Sequence, residues 1–333
     1  MKTELHDDNM AHLLRAMRSR FGEGVRIENI DVPSLGGSNR TVVFDLIDGN
    51  GRKRVVSRQR TYEGADSPFL DAADQFRLMQ IAYGAGLPVP EPILRFTSED
   101  QLGDGFVTGF VVGETMPKRI IAGLNARQSG VQFTRQLGQF LARLHQAHAD
   151  AALLQATPDS IDPIDAQRQR YDSYDEAHPA IEIGLRWLEL NRPSRTVPAL
   201  LHGDFRNGNL MVKDDRIVAV LDWECAHIGS PAEDIGWLTC RPWRFGNNES
   251  PVGGFGQLPD LLASYHDAGG TRIDTEEVRY WQIFGLVRWA VINMMQAHGH
   301  LFGGRRDPVF AACGRNTSLI EYDLLMTLKG RYQ

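Results

Sequence analysis

The first third of the chain alternates apolar and polar residues, and then the period changes. Residues 8–20 place Met10, Leu13, Leu14 and Met17 at helical spacing. Three β-branched runs follow, "RIENIDV", "RTVVFDLID" and "RKRVVSRQR", and their alternation predicts strands. Between the last two lies Asp48-Gly49-Asn50-Gly51, which predicts a hairpin turn. A helix is predicted near 69–83. Two more strands are predicted in "EPILRFTSED" and "GFVTGFVVG", around a Gly/Asp turn at 103–105. The first 112 residues therefore read as a mostly antiparallel sheet with one inserted helix.

After Gly113 the helical period dominates. Residues 129–150 repeat apolar side chains at Phe133, Leu137, Phe140, Leu141 and Leu144. A second helical block covers 163–191. Two short strands, "NLMVKD" and "RIVAVLD", turned at Asp214-Asp215, interrupt the helices, which return near 257–268, 274–298 and 308–329. No internal repeat or low-complexity segment is evident. The expected class is α+β, with a small antiparallel β lobe (1–112), a connector near 109–118 and a larger helical lobe (113–333).

Composition narrows the function classes. The 333 residues are 42% hydrophobic and 23% charged, ordinary for a globular chain with a substantial core. A net charge of −6 argues against nonspecific nucleic-acid binding, which needs clustered cations, but leaves room for a nucleotide site. Cys225, Cys240 and Cys313 are widely spaced and form no CxxC pair, so neither a zinc knuckle nor a disulfide framework is expected. The first 22 residues are charged throughout and lack the apolar core of a signal peptide. The apolar run 281–297 contains Arg288, Asn293 and Gln296, so it reads as a buried helix and not a membrane span. A soluble cytoplasmic protein without nucleic-acid or membrane partners is expected. The sequence leaves its oligomeric state open.

The densest polar chemistry sits in "LLHGDFRNGNLMV", 200–212, between apolar runs. Asp204 precedes Asn209 by five residues, and Asp222 follows Asn209 by thirteen, across the predicted hairpin Leu210–Leu221. A short hairpin returns its ends to neighbouring positions. Asn209 and Asp222 would then offer an amide oxygen and a carboxylate to one cation, a donor set that suits Mg²⁺ alongside waters and phosphates. Asp204, just ahead, could face a substrate hydroxyl, as phosphoryl transfer requires. An Asx-rich surface loop would explain any one of these residues alone. Their fixed offsets around an apolar hairpin favour a site.

The run "HGDFRNGNLMV…AVLDWECAHIGSPAEDIGW" resembles the aminoglycoside phosphotransferase and choline kinase-like superfamily, whose fold is similar to that of protein kinases. The match to the motif is long and gapless. The resemblance implies an ATP- and Mg²⁺-dependent kinase of small-molecule hydroxyls, with GTP as a possible donor. It implies that Asp204 is the catalytic aspartate, that Asn209 and Asp222 bind magnesium, and that His202 shapes the loop. Asp234 would brace that loop from below. A buried structural histidine and a helix N-terminal aspartate are the alternatives for His202 and Asp234.

The likeness is looser in the first lobe. Gly36, Gly37 and Ser38 resemble the phosphate-covering turn, where backbone N–H groups can meet phosphate. No P-loop motif is present. Arg58 aligns with the strand cation that meets the α- and β-phosphates; alternation puts Val56, Arg58 and Arg60 on one face. The inserted helix should supply a glutamate to pair with that cation, but Gln75 stands there, preceded by Asp74. Either Arg58 is held more weakly, or Asp71 or Asp74 takes the role, or the lobe has drifted in activity. Gly109, Phe110 and Val111 should run beside the adenine.

The acceptor is open. Asp172, Asp175, Glu176 and Glu182 could hold a polycation or form an ordinary solvated helix face. The late segments are aromatic and basic: Arg241, Trp243, Arg244, Trp281, Phe284, Arg288, Trp289, His298 and Arg305. They hint at an anionic or aromatic acceptor. The chain looks more like the phosphotransferase branch that includes domains linked to acyl-CoA dehydrogenases than like known resistance enzymes. A nucleotide-binding regulatory module without catalysis is the alternative function. A protein kinase is disfavoured, because the stretch between Asp222 and Asp234 leaves little room for an activation loop.

Overall fold

The computed structural model describes residues 4–33, 39–60, 69–147, 162–193, 197–303 and 306–332. The chain divides into two compact units: Met1–Gly113 with Val218–Cys225, and Glu114–Ile217 with Ala226–Gln333. The architecture is α+β, as the alternation of periods indicates.

The first unit is built on a five-stranded antiparallel sheet in the order β1-β2-β3-β5-β4. Its strands are β1 (Arg26–Asp31), β2 (Asn39–Asp48), β3 (Gly51–Arg60), β4 (Pro92–Arg95) and β5 (Gly105–Gly109). The β2–β3 hairpin closes at the turn the sequence predicts, with Asp48 opposite Gly51 and Asn39 opposite Arg60. Helix α1 (Glu4–Phe21) packs Leu13, Ala16 and Met17 on Val42, Phe44, Val55 and Val107 of the sheet. This sets the side-chain parity of β3: Val55, Ser57 and Gln59 are buried, while Arg54, Val56, Arg58 and Arg60 occupy the other, part-exposed face. Gly105 lies so close to β3 that a Cβ there would stand 2.4 Å from the Arg58 carbonyl oxygen.

The strand expected across "EPILRFTSED" stops at Arg95. Thr97 and Asp100 form a reciprocal capping box, with the Thr97 N–H donating to Asp100 Oδ2 at 2.7 Å, and this winds Ser98–Asp100 into a 3₁₀ turn. Helix α2 (Ala72–Gly84) is capped by Asp71, which accepts from the Asp74 N–H. The segment Val218–Cys225 belongs to this unit through backbone bonds: Val220 N–H to Pro88 O and Leu70 N–H to Glu224 O, each 2.8 Å. Trp223 anchors it, 1% exposed.

In the second unit the described helices are α3 (Pro117–Arg127), α4 (Gly130–His145), α5 (Pro163–Asp172), α6 (Pro179–Leu190), α7 (Pro231–Leu238), α8 (Leu258–Asp267), α9 (Thr275–Leu301) and α10 (Pro308–Leu328). Strand β6 (Ala199–Leu201) pairs antiparallel with β9 (His227–Gly229). Strands β7 (Leu210–Lys213) and β8 (Arg216–Val220) form the expected hairpin, with Asp214 and Asp215 at φ 49° and 57°. Helix α3 is not predicted from the sequence: Pro117 at its first turn starts it, and Gln128 at φ 55° ends it two residues before α4. The block 163–191 divides into α5 and α6 because Pro179 begins a new helix. The run 281–297 lies within α9, whose residues Trp281–Val287 are buried. Among the described residues no helix is long and apolar enough to cross a membrane.

Candidate active site

The stretch 202–209 lies between β6 and β7, and it is anchored by contacts within the second unit. Phe205 is fully buried and stacks on Phe140 of α4, with ring centroids 5.3 Å apart and planes at 7°. Asn207, also fully buried, donates to the carbonyls of Trp243 at 2.9 Å and Gly253 at 2.8 Å. These two anchors turn Asp204 outward. Its Oδ1 accepts from the Trp237 indole N–H at 2.8 Å and from Arg206 Nε at 3.0 Å, and its Oδ2 accepts from Asn209 Nδ2 at 2.6 Å. Three donors from three directions hold this carboxylate in one orientation, which is what positioning-dominated catalysis requires.

Beneath the loop sits Asp234, in the first turns of α7 and fully buried. It accepts from the backbone N–H groups of His202 and Gly203, both at 2.9 Å, and lies 3.2 Å from His145 Nε2. His145 in turn meets the Tyr265 hydroxyl at 2.9 Å. Burial alone would push the Asp234 carboxyl up. The His145 hydrogen bond and charge, the charge of His202 and the His202 amide outweigh it and hold the group below the ordinary carboxylate value. Asp234 therefore remains an anion that fastens two consecutive peptides of the loop. His202 is fully buried, and its Nδ1 accepts from the Asp204 N–H at 3.2 Å. Gly203 takes φ 74°, a conformation other residues resist, and its carbonyl accepts from Arg288 of α9 at 2.8 Å.

In the first unit, Arg58 of β3 forms an ion pair with Asp222, and its second nitrogen lies 3.7 Å from Glu224. Desolvation would pull this guanidinium's pKa down; Asp222 and Glu224 more than offset it, so the cation is held firmly charged. Asp222 adopts φ 60°, a left-handed conformation that Asp tolerates better than most residues. Gln75 is buried and donates through Nε2 to the Leu70 carbonyl at 2.8 Å. Asp71 is spent on the α2 cap. Carboxylates for Arg58 come from the "DWE" segment, while Gln75 steadies the Leu70 turn, whose N–H holds the Glu224 backbone.

Of the other residues expected from the sequence, Gly36, Gly37 and Ser38 lie outside the described residues. The N–H of Gly109 is taken by the Glu91 carbonyl at 2.8 Å, and that of Phe110 by the Arg54 carbonyl at 3.0 Å. Donation to a nucleotide base from this segment would then fall to Val111. Four side chains the sequence reading left without a role are part of the site: Arg206, Asn207, Trp237 and His145. Arg206 and Asn207 stand inside the motif itself, so their chemistry was visible. Trp237 and His145 look like ordinary apolar-face helix residues, and only the fold brings them to Asp204 and Asp234.

Asn209 offers an amide oxygen, a ligand type that a hard divalent cation accepts. Both hydrogen bonds from Asn209 Nδ2 go to Asp204, to its backbone oxygen at 2.9 Å and to Oδ2, which leaves the amide oxygen turned the other way. In the first unit, the Asp222 carboxylate is compensated by the Arg58 cation. Amide and carboxylate oxygens are the ligands Mg²⁺ takes alongside phosphate.

The profile of the Phosphotransferase enzyme family matches residues 30–279. The chain belongs to this family. The chain is 28% identical over 211 residues to mouse acyl-CoA dehydrogenase family member 10; the match takes in 61% of this chain but only 19% of that much longer protein. A Ralstonia eutropha protein assigned as an aminoglycoside phosphotransferase has the same fold, with a TM-score of 0.71, 20% identity, and coverage of 97% and 99% of the two chains. Amicoumacin kinase, solved with AMP-PNP, Ca²⁺ and amicoumacin, gives a TM-score of 0.61 at 15% identity, over 95% of this chain and 96% of that one.

Proposed function

We propose that this phosphotransferase uses ATP, or GTP in its place, and Mg²⁺ to move the γ-phosphate onto the hydroxyl of a small molecule. The observation that carries this reading is the arrangement around Asp204: a part-exposed carboxylate fixed by three donors, one of them an asparagine whose amide oxygen is left for a cation. Asp204 orients the acceptor hydroxyl and takes its proton as the oxygen bonds to the γ-phosphorus. The bond from that phosphorus to its bridging oxygen breaks, and the nucleoside diphosphate leaves. Asn209 and Asp222 would hold the magnesium ion, which when bound neutralises phosphate charge. Arg58 supplies a fixed cation for the phosphates, and Glu224 keeps that cation aligned. Gly36, Gly37 and Ser38 would cover the phosphates with backbone N–H groups, and the Gly109–Val111 segment would border the base. Asp234 and His202 keep the loop in shape without touching substrate.

The test is metal-dependent nucleotide binding. Calorimetric titration with AMP-PNP should show affinity that rises with Mg²⁺ in the wild type, and the Mg²⁺ dependence should be lost in Asn209→Ala and Asp222→Asn. Equal Mg²⁺ dependence in all three proteins would remove both residues from the metal site. Binding that persists together with a failure to transfer phosphate to any acceptor would favour a regulatory nucleotide-binding module.

A further inference from the structure

The reactive carboxylate is walled by tryptophan and arginine. Trp237 of α7, Trp243 of the turn after it and Trp289 of α9 form one cluster: Trp243 lies 5.1 Å from each of the other two, and Trp237 and Trp289 are 6.3 Å apart. The Arg206 guanidinium lies over Trp243 at 4.7 Å, and that of Arg288 over Trp237 at 5.3 Å. The cluster is joined to the chemistry through the Trp237 N–H on Asp204 Oδ1.

Two features of this cluster bear on what it could hold. First, Trp243 is only 5% exposed, yet its indole N–H has no acceptor among the described residues, and the same holds for the N–H of Trp289. Buried indole N–H groups normally find a partner. Second, the carboxylates here are already paired, Asp204 with Arg206 among them. The carboxylates nearest the loop are committed: Glu233, 4% exposed, lies 3.3 Å from His227 Nε2 and 3.6 Å from Arg288, and Asp234 is buried under the loop amides. The part-exposed charges beside Asp204 are guanidinium groups. Gly208 makes room for one of them: a Cβ at 208 would stand 2.0 Å from Arg206 Nη1.

We propose that the acceptor carries an anionic group and a flat or apolar portion beside its hydroxyl, and is not a polycation. This rests on the phosphotransferase reading, because it takes Asp204 as the point where the hydroxyl arrives. A guanidinium stacked on an indole presents its edge to a carboxylate or phosphate in a two-pronged geometry that ammonium groups cannot copy. The unspent indole N–H groups suit oxygen acceptors on such a ligand. An ammonium-rich ligand would meet Arg206 and Arg288, whose neighbouring carboxylates, Asp204 and Glu233, are already paired with them.

Three probes that share a phenylpropane skeleton and a hydroxyl test this: 3-phenyllactate (anionic), 3-phenylpropane-1,2-diol (neutral) and phenylalaninol (cationic). Each is titrated into the full chain with Mg²⁺ and AMP-PNP, reading tryptophan fluorescence. The proposal expects 3-phenyllactate to bind at least ~10-fold more tightly than phenylalaninol. Arg206→Gln should cut affinity for 3-phenyllactate by a larger factor than affinity for the diol; Arg206→Lys should restore only part. Equal or tighter binding of phenylalaninol overturns the proposal, as does a flat titration with all three up to ~10 mM, weaker than the weakest specific site. Transfer of labelled phosphate from ATP is followed in parallel, with a polycationic aminoglycoside such as kanamycin added to the panel. Transfer to kanamycin in preference to 3-phenyllactate overturns the acceptor class and upholds the phosphotransferase. Preferential binding of 3-phenyllactate without transfer to any hydroxyl upholds the anion site and overturns the phosphotransferase.

Discussion

Replacing Asp234 by asparagine exchanges one oxygen for an NH₂ and removes one buried charge. The native carboxylate accepts the His202 and Gly203 N–H groups and pairs with His145. In Asp234→Asn one oxygen can still accept, but the new NH₂ must face a backbone N–H or the His145 ring. Hydrogen bonds to a charged group contribute about 1.5–3 kcal/mol each, so losing one and weakening the others costs about 3 kcal/mol. For a chain of 333 residues that lowers Tm by roughly 4 °C. The loop would also shift, and a displacement near 1 Å at Asp204 reduces kcat by about 100-fold. The sign of the pH effect follows from the depressed Asp234 pKa. Its contribution is full above the ordinary carboxylate value of 3.8 and is lost as pH falls through the lower folded-state value. The stability gap between wild type and variant should therefore be widest at neutral pH and narrow below 3.8. Circular dichroism melts from pH 7 down to the acid limb, with kcat measured at pH 7, provide the assay. A variant that melts within ~1 °C of the wild type and keeps its kcat would refute the bracing role, since such a change corresponds to less than about 1 kcal/mol.

Three further outcomes are expected. Glu224→Gln should raise the nucleotide KM on the order of 10-fold with a smaller change in kcat, because Arg58 loses one of its two carboxylates but keeps Asp222; steady-state kinetics decides, and an unchanged KM would show that Asp222 alone aligns the guanidinium. Gly236→Ala would place a Cβ 2.5 Å from Trp281 Cβ, where α7 meets α9, and should destabilise the fold by about 1–3 kcal/mol; a denaturant midpoint equal to the wild type would contradict this. Cys240 is buried and its thiol is pushed up to about 12, so at neutral pH it should resist thiol reagents until the chain unfolds; labelling of Cys240 in native protein as fast as in urea would contradict the burial.

Much of this was readable because local rules and tertiary structure agree. The β2–β3 hairpin carries its own turn, and α4 writes its buried face as Phe133, Leu137, Leu141 and Leu144. Where a short-range device competes, the pattern misleads: the Thr97–Asp100 capping box ends β4 early, and Pro179 divides one helical block into two. The motif exposes Asp204, Asn209 and Asp222, since oxygen ligands at fixed offsets have few other uses. Partners brought in by helix packing leave no such trace. Trp237 is one residue of an apolar helix face until α7 docks against the loop, and Glu224 reads as an ordinary charge until the Leu70 backbone holds it beside Arg58.

The central claim is phosphate transfer through Asp204. Its most direct measurement follows γ-labelled ATP with Mg²⁺ and a panel of hydroxylated metabolites, comparing wild type with Asp204→Asn while AMP-PNP binding is monitored in both. The account predicts label on at least one acceptor with wild type, a loss of about 100-fold or more in the variant, and similar nucleotide affinity in the two. Equal transfer by Asp204→Asn, or no transfer by a wild type that binds Mg²⁺ and nucleotide, would contradict it.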